Sequence, residues 1–169
     1  VEQRTASPSI GEVLTVKVDR MAPAGDGLAK AEGSNRVVFV PGAAPGDRLE
    51  VTVFDAKSNF ARARITKVLS SGPERIDPPC PHHAAPSRKG PFCGGCDWQH
   101  LAYESQLKHK RDIVVDCVSR IGKFADAEKL VLPTMRAPKP MGYRNKVQIP
   151  FMAGEHGPRM GFFSAGSRE

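Results

Sequence analysis

Hydrophobic and polar residues alternate in several short stretches of the first seventy residues. The apolar positions are one set at Leu14, Val16 and Val18, a second at Leu49, Val51 and Val53, and a third at Ala61, Ala63 and Ile65. A continuous apolar run at 37–40 lies between them, and segments rich in Gly, Pro and Asp separate the stretches. Period-two alternation with turn residues between the runs is typical of half-buried strands. We predict five short strands, which fit a small closed barrel of the OB type.

The chain changes character after the predicted barrel. Residues 71–91 are rich in Pro, Gly and basic residues, which predicts a linker. One helix is predicted over 103–121 and should end at Gly122. Its predicted buried face consists of Leu107, Val114, Cys117, Val118 and Ile121.

Alternation returns near the end of the chain. Val147, Ile149 and Phe151 should point the same way, and with 159–164 across a turn-rich segment they predict a hairpin. The fold class is therefore an all-β OB-like barrel followed by a small α+β domain that carries a metal or cluster loop. We place the domains at 1–72 and 73–169.

Composition narrows the class of protein. The 169 residues are 40% hydrophobic and 25% charged, as in globular proteins. No apolar run approaches the roughly 20 residues that a membrane span needs, so no membrane partner is expected. The net charge of +7 favours phosphate-bearing partners. Because the chain starts at Val1 and stops at Glu169 after an extended segment, we expect it to be a piece of a longer protein.

Three cysteines have the spacing of a metal site. In Cys93-Gly94-Gly95-Cys96 the two thiols can reach one ion, and the glycines allow backbone amides to approach sulfur. Cys80 offers a third thiolate, whereas Cys117 falls on the predicted apolar helix face, where a cysteine behaves as a small hydrophobe. Spacing alone leaves two alternatives open: a Cys3His zinc site completed by His82, His83 or His100, and an iron–sulfur cluster that lacks one cysteine. A Cys93–Cys96 disulfide is the weakest alternative, so a reducing, cytoplasmic compartment is expected.

Several motifs occur in a fixed order after the barrel: Pro79-Cys80, Cys93-Gly94-Gly95-Cys96, Gln99-His100, Tyr143-Arg144-Asn145-Lys146, and 161–167. Together they resemble the N-terminal part of the RNA (uracil-5-)-methyltransferases, particularly the 23S ribosomal RNA branch. Enzymes of this family begin with a TRAM domain, continue through a central domain with a [4Fe-4S] cluster and end with an S-adenosylmethionine-binding domain. The resemblance spans nearly the whole chain. It departs from the family in an apparent insertion at 81–92 and in Arg168, where the family often has His.

The resemblance has specific implications. Cys80, Cys93 and Cys96 would hold a [4Fe-4S] cluster, with the fourth ligand just beyond Glu169. S-adenosylmethionine and the catalytic cysteine and base of the family would belong to an absent C-terminal domain, so this chain carries no catalytic residue. The implied function is the RNA-recognition and iron–sulfur portion of a 23S rRNA methyltransferase that acts as a monomer. The alternatives are a stand-alone RNA-binding module with a structural zinc, and a transfer-RNA methyltransferase of the same chemistry.

The predicted RNA contacts lie mainly on the barrel. OB-type barrels bind single strands through basic side chains and stacking aromatics. The segment 57–64 has that composition, and Arg62 and Arg64 share a strand face. In the second domain, two basic residues alternate with apolar ones; they could face RNA or support the cluster loop. The predicted RNA-binding residues are Lys57, Phe60, Arg62, Arg64, Arg144 and Lys146.

Overall fold

A computed structural model describes residues 8–33, 36–85, 90 and 92–165. The motif residues Gly166, Ser167 and Arg168, and the chain end at Glu169, lie outside the described residues. Seven strands and two α-helices occur in the described part: β1 Val13–Met21, β2 Gly27–Ala31, β3 Val37–Val40, β4 Arg48–Ala56, β5 Phe60–Ser70, α1 Tyr103–Asp116, α2 Ala127–Leu130, β6 Phe151–Met152 and β7 Arg159–Met160.

The first five strands form a closed barrel, which confirms the predicted architecture. Their order around the barrel is β1-β2-β3-β5-β4. All neighbouring pairs are antiparallel except β3 and β5, which pair in parallel with Val38 opposite Ala61. On β4, Val51 lies opposite Leu14 on one side and Ile65 on the other, so the predicted apolar sets meet inside the barrel.

Small aliphatic side chains fill the barrel. The inward positions alternate along each strand with outward polar ones, as the pleat requires. The buried core residues are Val16, Val18, Ala29, Ala31, Val38, Val40, Ala43, Leu49, Val51, Val53, Ala61 and Ala63. Valine and alanine dominate because the interior of a five-stranded barrel is narrow.

A buried carboxylate joins the barrel to the residues that follow it. Asp47 is fully buried and accepts hydrogen bonds from the amides of Ala44 (2.7 Å) and Gly72 (2.8 Å). Arg75 donates to both carboxylate oxygens through Nε (3.1 Å each) and to Gly42 O through Nη2 (2.8 Å). The start of the segment predicted to be a linker is thus packed on the barrel.

Two further contacts dock the second part of the chain. The indole N–H of Trp98 donates to Gly25 O at 2.8 Å, and the fully buried Leu101 packs with Met21 and Ala44. On α1, His109 is buried and hydrogen-bonded to Glu74. The β-barrel therefore shares a packed interface with residues 72–75 and 98–109.

The predicted helix is present, but only part of its predicted buried face is covered, since two of the five residues are exposed. α1 is followed by a π-helical turn, Cys117–Ile121, after which Gly122 ends the helix as expected. Val114 and Ile121 are exposed, and Cys117 is half-buried. The face toward the barrel instead contains His109 and Ile113, because hydrogen bonding to Glu74 and packing near Leu101 decide which side docks.

The predicted hairpin is present in shortened form. Phe151 pairs with Met160 and Met152 with Arg159, while 145–149 is not a strand. All four paired residues are exposed, and a two-stranded hairpin without a covering layer gains little from lengthening. Among the described residues, no helix has both the length and the apolar character needed to cross a membrane.

Candidate nucleic-acid interface and cysteine loop

The cysteine loop is anchored through its backbone. The amide of Cys93 donates to His82 O at 2.9 Å, which joins the loop to the turn that follows Cys80. The amide of Gly95 points at Cys93 Sγ, 3.3 Å away. This amide–sulfur contact is the one that the two glycines of the motif predict.

The loop also pairs with the last described residues of the chain. Cys93 forms an antiparallel bridge with Ser164, the Gly94 amide donates to Phe163 O at 2.9 Å, and the Ala165 amide donates to Phe92 O at 2.8 Å. A Cβ at Gly94 would lie only 3.0 Å from Phe163 O, so a larger residue would require the paired backbone to shift by a few tenths of an ångström. The segment preceding Gly166 is therefore held against the cysteine motif.

Of the other two predicted ligands, Cys80 precedes this loop in the sequence and Cys96 is its last residue. The Cys80 amide donates to Gln99 Oε1 at 3.2 Å, and Cys80 is half-buried, whereas Cys96 is exposed. None of the chain's four cysteines, all of which are described, forms a disulfide. Within the described residues, no three His, Cys, Asp or Glu side chains come together in a group able to hold a metal. As placed, the three predicted ligands do not by themselves fit a metal or a cluster.

Two of the three histidines of the zinc alternative make other contacts. The Nε2–H of His100 donates to Ala43 O at 3.1 Å at the junction with the barrel, and His83 Nδ1 lies 2.8 Å from Ala84 O. His100 Nδ1 is buried with no hydrogen-bond partner within the described part of the chain. Burial lowers the pKa of His100 to about 4, because a charged imidazole would lose its hydration there.

Three of the predicted RNA-binding residues of the barrel have internal partners. Arg62 forms an ion pair with Asp26 at 2.9 Å. Phe60 packs edge-to-face against Phe39, with ring centroids 5.5 Å apart. Lys57 lies 3.4 Å from Asp55 in an exposed ion pair, in a turn whose carbonyls accept hydrogen bonds from Arg36. Each of these three side chains is therefore already engaged with a neighbour.

The most open aromatic of the barrel is one that the sequence analysis missed. Phe54 is 38% exposed, and the guanidinium of Arg64 lies over its ring, 5.0 Å from the centroid. The strand alternation held a signal, since Leu49, Val51 and Val53 point inward and Phe54 must therefore point outward. An aromatic ring beside an exposed arginine is the combination that binds unstacked bases.

The predicted contacts of the second domain are exposed. Arg144 lies over the ring of Tyr143, 5.9 Å from its centroid, and Tyr143 is itself 67% exposed. Lys146 is also exposed. This pair is far along the chain from the barrel face, and the two sets of basic residues are two separate candidate contacts.

Comparison with known proteins places the barrel in a class. Residues 9–66 match the family model described as TRAM domain. The match covers all five barrel strands except the end of β5, so the barrel is the part of the chain that is similar to TRAM domains.

The relatives extend beyond the barrel. The chain is 34% identical over 163 residues to an uncharacterized RNA methyltransferase of Bdellovibrio bacteriovorus, covering 96% of this chain and 38% of that protein. It is 40% identical over 139 residues to one of Halalkalibacterium halodurans, covering 82% and 28%. The chain thus spans about a third of the length of these relatives.

A solved structure also resembles the chain. It is that of Pyrococcus abyssi tRNA (uracil-54, C5)-methyltransferase in complex with S-adenosyl-L-homocysteine. Its sequence is 27% identical, and the match covers 85% of this chain and 28% of that one with a TM-score of 0.49. A TM-score at this level decides nothing about the fold or the substrate.

Proposed function

We propose that this chain is the RNA-recognising, cysteine-bearing part of an S-adenosylmethionine-dependent 23S rRNA (uracil-5-)-methyltransferase. The observation that carries the proposal is the similarity to RNA methyltransferases over 96% of the chain, together with the TRAM domain. S-adenosylmethionine would supply the methyl group and would be bound outside this chain. The role of the residues described here is to bind and orient RNA.

The RNA contacts of the proposal centre on Phe54 and Arg64. Their stacked arrangement offers a base a ring face and a phosphate a cation, at one place on β4 and β5. Phe60 and Arg62 would support this face through their contacts with Phe39 and Asp26 and touch RNA less directly. In the same proposal, the exposed residues Lys57, Arg144 and Lys146 make further contacts with RNA.

Measuring methyl transfer to two classes of RNA tests the proposed activity. The gene that encodes this chain is expressed with the sequence that follows Glu169, and methyl transfer from tritiated S-adenosylmethionine is measured on unmodified 23S rRNA and on bulk transfer RNA. The proposal expects 5-methyluridine in 23S rRNA only, identified by nuclease digestion and mass spectrometry. Methylation of transfer RNA alone would favour the alternative branch, and methylation of neither would contradict the proposed activity.

We further propose a [4Fe-4S] cluster on Cys80, Cys93 and Cys96 with a fourth thiolate from beyond Glu169. Two features support it: the Gly95 amide directed at Cys93 Sγ, and the pairing of Cys93 with Ser164, which brings the end of the described chain beside the motif. The fourth ligand is essential to the proposal, because the described residues alone form no metal-holding group.

Metal analysis of the longer protein, purified without oxygen, tests the cluster. About four irons with matching labile sulfide are expected, and Cys93→Ser should lose them. Cys117→Ala is the matched control and should keep full iron, because Cys117 lies on the helix that follows the loop. Stoichiometric zinc without sulfide would contradict the cluster in favour of the zinc module.

A further inference from the structure

Three basic side chains form a row across adjacent strands of the barrel. Lys17 on β1 lies directly opposite Lys30 on β2 and directly opposite Arg48 on β4. All three residues are exposed. We define these residues as the cation row. The row crosses β2-β1-β4, whereas the Phe54–Arg64 pair lies on β4 and β5 near the other end of β4.

The cation row is only partly neutralised. Glu32 binds Arg48 through two hydrogen bonds, Nε to Oε1 at 2.7 Å and Nη2 to Oε2 at 3.1 Å. Asp19 and Glu50 are near neighbours along the strands, but within the described residues neither they nor any other acid forms an ion pair with Lys17 or Lys30. Directly opposed like charges destabilise an antiparallel pair, so Lys17 and Lys30 reduce the stability of the barrel.

We propose that the cation row binds the phosphate backbone of single-stranded RNA. Three neighbouring strands span roughly 10 Å, a length over which a single-stranded backbone carries more than one phosphate. Phosphates placed there would relieve the Lys17–Lys30 repulsion and release condensed counterions. The inference rests on the proposed RNA-binding function and assigns it a second, sequence-independent contact.

The test uses the 169-residue chain and a short oligouridylate. Binding is measured over a range of salt concentrations for the parent, Lys17→Gln, Lys30→Gln and the double variant. Each single change should reduce the slope of log K against log salt by about 0.7, and the double change by about twice as much. Lys129→Gln is the control, since Lys129 is an exposed lysine on α2 that is paired with Asp126; it should leave the slope unchanged.

Thermal unfolding provides the second measurement. Because the opposed charges are removed, each variant at position 17 or 30 should unfold about 1–4 °C higher than the parent while binding RNA more weakly. Lys30→Glu should raise the midpoint further, because a carboxylate would then face Lys17, and should weaken binding more than Lys30→Gln does.

Two results would overturn the inference, and they differ in what they imply for the proposed function. If the parent binds RNA and the double variant has the same slope and affinity, the cation row is a solvated surface and the proposed function is unaffected. If the parent shows no salt-dependent binding at all, the RNA-binding role of this chain fails together with the inference.

Discussion

At the scale of single residues, Asp47 joins the barrel to the segment that follows it. Its buried carboxylate serves the turn at Ala44, the amide of Gly72 and the guanidinium of Arg75. A buried ion pair adds little to the free energy of unfolding when it is compared with apolar side chains of the same size. Removing only one partner is costly, because it leaves a buried charge without compensation.

Asp47→Ala should therefore lower the free energy of unfolding by about 3–5 kcal/mol, because Arg75 would remain buried without its partner. Urea denaturation measures the change. Glu32→Gln removes the exposed ion pair with Arg48 and is the control; its stability should stay close to that of the parent. Equal losses in the two variants would contradict the role assigned to Asp47.

His100 makes stability depend on pH. Its pKa falls from 6.5 to about 4 on folding, because burial disfavours the charged ring. The unfolded chain thus binds the proton more tightly than the folded protein. Between pH 6.5 and 4, stability should fall as the pH falls, by up to roughly 3 kcal/mol for this group alone.

Replacing His100 isolates this effect. Urea titrations at pH 7 and pH 5 should show a smaller loss of stability for His100→Gln than for the parent, since glutamine does not titrate. All other titratable groups are the same in both proteins, so their contributions cancel in the comparison. An identical loss in the two would mean that His100 is protonated in the folded protein as easily as in the unfolded chain.

These residue-level roles were only partly predictable. The motif of Cys93 and the two glycines that follow it is recognisable in the sequence from its spacing. The amide–sulfur contact of Gly95 follows from that local pattern. Asp47 carries no such signal, because its partners Gly72 and Arg75 lie far along the chain and become neighbours only after folding. Phe54 was predictable from strand alternation alone, since its neighbours in the sequence point inward.

At the scale of elements, period-two alternation predicted the barrel strands, whereas apolar content predicted only part of the helix face. Every barrel strand buries one face against the same interior, so the pattern and the packing agree. α1 docks by a mixed polar and apolar contact, with His109 hydrogen-bonded to Glu74 and Ile113 beside Leu101. A face chosen only for its hydrophobicity misses such a contact.

The docking face of α1 can be tested with two neighbouring substitutions. Ile113→Ala should cost about 1–2 kcal/mol of stability, because this side chain is only partly buried against the Met21–Ala44–Leu101 cluster. Val114→Ala should be neutral or slightly stabilising, since Val114 is 47% exposed and alanine favours the helix. Chemical denaturation measures the free energy of unfolding of both variants. A larger loss for Val114→Ala than for Ile113→Ala would support the face that hydrophobicity predicted.

At the scale of the whole molecule, the barrel and the following segment meet at a tight backbone contact. A Cβ at Gly72 would collide with Pro45 O and lie 2.8 Å from the Gly46 carbonyl carbon. The chain leaving β5 is thereby pressed against the turn before β4. Glycine is the residue that permits this approach.

Gly72→Ala should force this junction apart and cost about 1–3 kcal/mol, as overpacking does. Limited proteolysis should then cut faster between residues 72 and 80, because the segment would be less firmly held. Gly161→Ala is the control, since a Cβ there meets open space. Unchanged cleavage of the Gly72 variant would show that the junction adapts without opening.

The pairing of Cys93 with Ser164 sets an order of events during synthesis. The cysteine motif leaves the ribosome well before its pairing partner, and at about 5–20 residues per second the interval is roughly 4–14 s. During that time the barrel can close, because all its strands precede the motif. The cysteine loop around Gly94 lacks its pairing partner until residues 163–165 emerge. The nascent chain therefore carries a closed barrel while the cysteine loop is still unpaired.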